Sequence, residues 1–135
     1  MTPPDTSAVL RLRRLWQAVG ALLIITVIYL SLTPSPIEIP VEHGDKYGHL
    51  LAYATLMFWF AQLHSDTKAR LAWAIAFIAM GVALEFIQRL TDYRTFEVND
   101  MVADAYGVLI GWIVAPPRSP HLLHYVESHC LAYID

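Results

Sequence analysis

Four apolar stretches alternate with polar connections along the chain. The first, residues 16–32, reads WQAVGALLIITVIYLSL without a charge and approaches the length of a bilayer span. The second runs over 47–63, the third over 71–87 with Glu85 near its end, and the fourth over 100–115. Pro34, Pro36 and Pro40 exclude a long helix from the first connection. A polar turn at 64–70 and a charged segment at 88–99 form the next two, and Pro116-Pro117 stops the fourth stretch. In the tail, Leu122, Val126 and Tyr133 recur at near-helical spacing, which predicts a short amphipathic surface helix. The pattern predicts an all-α fold: one integral membrane domain over residues 1–135, bundling four transmembrane helices. The bilayer itself is then the first partner.

Composition agrees with that reading. Hydrophobic residues make up 56% of the chain and charged residues 16%, a more apolar balance than an ordinary soluble domain. Mean hydropathy is +0.44. Arg11, Arg13 and Arg14 precede the first stretch, as they would in a signal peptide, but its apolar core is longer than a signal core. Thr33-Pro34-Ser35-Pro36 also offers no small-residue cleavage site, so an uncleaved first helix is expected. A net charge of −3 with scattered basic residues argues against nucleic acid. The single cysteine, Cys130, excludes an internal disulfide framework. No Gly-rich phosphate loop, G-x-S-x-G elbow or HExxH pattern occurs, so neither a cofactor nor a metal is expected. His121, His124, His129 and Cys130 lack a tetrahedral ligand spacing and read as surface residues.

Charge also predicts orientation. With both termini cytoplasmic, Arg11, Arg13, Arg14, Lys68, Arg70 and Arg118 lie inside and Lys46, Arg89 and Arg94 outside, a split of six to three. That arrangement gathers the unusual polar residues at the outer face. Asp45, His49 and Tyr53 share one helical face at i, i+4 and i+8. Glu85 and Gln88 close the third helix, and Asp100 and Asp104 open the fourth. At about 1.5 Å rise per residue, Asp45, Gln88 and Asp100 fall near the mouth, with His49, Glu85 and Asp104 about one turn deeper.

Ionisable groups this close to a hydrocarbon core need partners or a cavity. Three readings stay open. Lys46, Arg89 and Arg94 can neutralise the carboxylates in a purely structural network. The same groups can line a pocket for a polar head group or peptide. His49 with Glu85 and Asp104 can also hold a cation or run acid–base chemistry, though no catalytic residue is assigned. Gly107 and Gly111 form a G-x-x-x-G pattern suited to close helix packing.

The blocks DKYGHLLAY, GVALEFIQRL, Arg94 to Asp100, and Asp104-Ala105-Tyr106-Gly107 with Gly111 resemble the VanZ-like family of bacterial membrane proteins. The resemblance covers about residues 45–112. It implies a small multi-pass protein of the bacterial inner membrane, in a family whose namesake is associated with teicoplanin resistance. The family's motif positions fall on Asp45, Lys46, His49, Tyr53, Glu85, Gln88, Arg94, Asp100, Asp104 and Gly107. Asp104 stands where the family pattern has Asn. The expected function is to bind or shield an anionic or peptidic cell-surface molecule, with Arg94 and Lys46 engaging carboxylate or phosphate. A membrane enzyme acting on a lipid-linked substrate and a non-catalytic assembly partner are the alternatives.

Overall fold

A computed structural model describes residues 10–34, 38–93 and 96–133. The described residues form five helices: α1 (Arg13–Leu32), α2 (Gly44–Leu63), α3 (Thr67–Arg89), α4 (Val98–Val114) and α5 (Leu122–Leu131). No strand occurs among the described residues. Each of the first three helices starts three or four residues earlier than apolarity alone predicts, because their first turns are polar. Asp66 accepts from the Ala69 amide to cap α3. Lys46 and Asp45 occupy the first turn of α2.

The closest packing joins α2 to α4, and the glycine pattern explains it. A Cβ at Gly107 would lie 2.4 Å from the Leu50 carbonyl oxygen, and one at Gly111 would lie 2.4 Å from that of Ala54. The two backbones touch at a distance only glycine allows. Leu56, Met57, Phe60, Phe77 and Val108 fill the centre of the bundle. Phe60, Trp73 and Phe77 form a triangle of rings, with centroids 4.1, 5.6 and 5.3 Å apart.

Among the described residues two helices, α1 and α3, are long and apolar enough to cross a membrane. Four such helices were expected; α4 has 17 residues, and the polar first turns of α2 and α4 dilute their apolar character. Of α1, only Gly20 is fully buried. Leu22, Ile25 and Tyr29 are each more than 60% exposed. An apolar helix with so little protein around it needs lipid or a partner for its surface.

The expected tail helix forms, and its stripe stays exposed. Leu122, Val126 and Tyr133 point away from the bundle, while Leu123 and Glu127 are buried. Glu127 supplies what α1 lacks. The first turn of α1 holds no acidic residue and has no side-chain cap of its own. The Glu127 carboxylate accepts from the amides of Arg11 (3.0 Å) and Leu12 (2.8 Å) and from the Trp16 indole (2.8 Å). Burial pushes its pKa up, but these donors outweigh burial and hold the carboxyl below its ordinary range.

Arg70 closes the same end of the molecule. Its guanidinium is buried and donates to the carbonyls of His64, Pro116 and Ala61 at 2.7, 2.7 and 2.8 Å. Gln62 donates to the Pro120 carbonyl and accepts from the Leu122 amide. These bonds join the end of α2 to the start of α5.

Candidate functional site

At the opposite end, the first turns of α2 and α4 and the last turn of α3 converge. Lys46 sits among three carboxylates. Its ammonium lies 2.6 Å from Asp45 and 2.6 Å from Asp100, and it donates a short bond to Glu97. Those three carboxylates have oxygens within 4.8 Å of one another, a spacing that a cation can bridge. Here the lysine ammonium is that cation. Asp100 is buried, and its Oδ1 meets Lys46 as an ion contact rather than an aligned hydrogen bond.

One turn deeper, His49 Nδ1 lies 2.8 Å from Asp104 Oδ1. Its Nε2 lies 3.7 Å from Asp100 Oδ2. Asp104 is 2% exposed and packs against Gly81, where a Cβ would approach Oδ2 to 2.7 Å. The missing side chain at Gly81 makes room for the carboxylate. A carboxylate on one imidazole nitrogen fixes the ring's orientation, which leaves the other nitrogen able to take or give a proton.

Glu85 and Gln88 turn toward the connections. Glu85 Oε1 accepts from the Glu97 amide at 2.6 Å, at the start of α4. Gln88 donates to the Ser31 carbonyl at 2.5 Å, and Tyr93 donates to that of Leu32 at 3.0 Å. They tie the end of α1 to the last turn of α3 and to the segment that follows it. Tyr53 is buried below His49, beside the Gly107 contact.

Sequence spacing therefore brings Asp45, Lys46, His49, Asp100 and Asp104 together, with Glu85 bound nearby through Glu97. Gln88 holds α1, and Gly107 acts in the helix crossing. Arg94 lies outside the described residues. Glu97 is the residue that spacing did not single out. It precedes α4 in an irregular segment, so helical periodicity gives it no position.

A cavity of about 880 Å³ opens beside this cluster, between α1, α2 and the connection joining them. Near their amino- and carboxy-terminal ends, respectively, α1 and α2 touch closely: Trp16 and Trp59 meet edge to face, and a Cβ at Gly20 would meet Phe60 at 2.8 Å. Further along α1, Leu23, Val27 and Leu30 line one wall and Leu51, Ala52 and Leu56 the other. The polar end carries Glu38, Asp45, Glu97 and Asp100 with His43 and His49. Neither lysine nor arginine lines it among the described residues. Its volume lies within the range of small-ligand pockets.

A family model described as VanZ/LLP1 matches residues 10–123. The chain belongs to the VanZ/LLP1 family. An uncharacterized protein of Schizosaccharomyces pombe is 30% identical over 99 residues, which is 71% of this chain and 59% of that relative. The chain thus spans somewhat under two thirds of the relative's length. No solved structure matches it. Family membership and two long apolar helices point to a membrane protein. With a fungal relative in hand, membership of VanZ/LLP1 does not by itself assign the chain to bacteria.

Proposed function

We propose that this VanZ/LLP1 protein binds an amphiphilic molecule of the membrane surface, with its tail between α1 and α2 and its polar end at the carboxylate cluster. In this reading α1 to α4 all cross the bilayer, both termini are cytoplasmic, and the cluster faces outward. The observation that carries it is the joining of one apolar cavity to one polar end. Four carboxylates and two histidines line that end, and Lys46 stands behind them, already engaged by three acids. Such a lining favours a head group that donates hydrogen bonds or carries positive charge, such as the amine of a lipid or peptide, over an anion. The peptidic side of the expected ligand suits this end better than the anionic side.

Dodecylamine and dodecyl phosphate form a matched pair of probes for the purified protein in maltoside micelles. The amine should raise the thermal midpoint, by about 2.7 kcal/mol of stabilisation at 100 times its Kd, and the phosphate should not. Ala52→Trp, which fills the cavity, should remove the effect. Equal stabilisation by both probes, or a shift that survives Ala52→Trp, would reject the site. Should a bound amphiphile be consumed rather than held, His49 is the residue placed to move the proton, and His49→Ala would keep binding while ending turnover.

A further inference from the structure

The end of the molecule opposite the cavity carries a second feature. Along α5, Leu122, Tyr125, Val126 and His129 recur at i, i+3, i+4 and i+7, and all are exposed. Tyr133, in the turn that follows, continues the stripe and is 93% exposed. The face that holds α5 to the bundle is a different one, formed by Leu123 and Glu127. The helix is therefore docked on one side and presents an aromatic and aliphatic stripe on another.

Its surroundings indicate what covers that stripe. Glu127 fixes α5 at the level of the first turn of α1, and the Gln62 bonds place its start beside the end of α2. Arg11, Arg13, Arg14, Lys68 and Arg118 lie at this same end, against Asp66 and Glu127 among the described residues. Burial and nearby positive charge push His64 and His121 below the ordinary histidine range. The exposed apolar surface of α1 begins at Leu15, in the same layer. Tyrosines with aliphatic neighbours suit the head-group boundary of a bilayer, and a basic surround suits anionic lipid.

We propose that α5 is a membrane-surface helix that sets Leu122, Tyr125, Val126 and Tyr133 into the head-group boundary of an anionic leaflet while Leu123 and Glu127 hold it to the bundle. This rests on α1 spanning the membrane, and is independent of the cavity.

Nitroxide labels on single cysteines test it, in a Cys130→Ser background, with the protein in nanodiscs of phosphatidylcholine and phosphatidylglycerol. Labels at Val126→Cys, Ser128→Cys and Ile25→Cys are compared for collision with oxygen, which favours lipid, and with a water-soluble nickel chelate. Val126 and Ile25 should favour oxygen, with Val126 about 5–10 Å below the head groups, and Ser128 should favour nickel. Removing phosphatidylglycerol should bring the Val126 label toward water. Lipid contact at Ile25 but none at Val126 would overturn the proposal while leaving α1 a span. Water contact at both would overturn the two together. A Val126 depth indifferent to phosphatidylglycerol would overturn the assignment to an anionic leaflet.

Discussion

Glu127 and Asp104 show how differently two buried carboxylates announce themselves. Asp104 interrupts an apolar stretch one turn inside a helix, where a charge is costly without a partner, so its meeting with His49 follows from spacing. Glu127 lies in a polar tail where a carboxylate ordinarily faces water, and nothing near it in sequence marks Arg11, Leu12 and Trp16 as its donors. Its contribution can be measured by pH. The folded carboxyl titrates below the ordinary value of 4.5, so its stabilisation is complete above that pH and is lost as pH falls through the lower, folded value. Glu127→Ala should cost about 2 kcal/mol at pH 7, the scale of hydrogen bonds to a charged group. The gap between variant and wild type should narrow as pH falls below 4.5, as read from thermal midpoints in micelles. A gap constant from pH 7 to pH 3 would assign the loss to packing instead.

At the scale of helices, a methyl group separates a contact from a clash. Gly107→Ala and Gly111→Ala each place a Cβ against a carbonyl oxygen of α2 and should cost roughly 1–3 kcal/mol, read as a lower thermal midpoint. Gly48→Ala is the control. Its Cβ would meet only Ile39 Cδ1 at 3.6 Å, so helix propensity should make it neutral or stabilising by up to about 1 kcal/mol. Equal losses at all three would show that the α2–α4 crossing is not limited by backbone approach. The G-x-x-x-G spacing made this crossing legible, because small residues one turn apart leave few other uses. The orientation of α5 was not legible. Its apolar stripe was visible, but a short helix with a stripe can turn that stripe inward or outward, and the buried Glu127 decides between them.

For the whole molecule, helix number and order were readable from apolar runs broken by proline and charge. Boundaries were less so, since polar first turns belong to the helices but not to the runs. The polar cluster was readable as two successive layers, because the ends of α2, α3 and α4 carry their ionisable residues at matching depths. The cavity was not, because it depends on how far α1 stands from α2 and no residue encodes that distance by itself. Arg70 adds a refinement to the charge count for orientation. With its guanidinium on three backbone carbonyls it is an internal cap, while Lys68 and Arg118 stay exposed. Without Arg70 the count is five basic residues to three, which still favours the proposed cytoplasmic termini. A cysteine replacing the exposed Glu42, in a Cys130→Ser background, should react with an impermeant maleimide added to intact cells. Labelling only after lysis would invert the topology and turn the cavity toward the cytoplasm.

The bond between Glu127 and the start of α1 also has a meaning in the order of synthesis. The ribosome makes α1 first and α5 last, with the carboxylate 115 and 116 positions after the amides it receives. The first of the five helices to be made is thus the last to have these two amides satisfied by protein. Until α5 emerges, water or lipid head groups must serve in its place, and its synthesis then ties the start of α1 to Glu127.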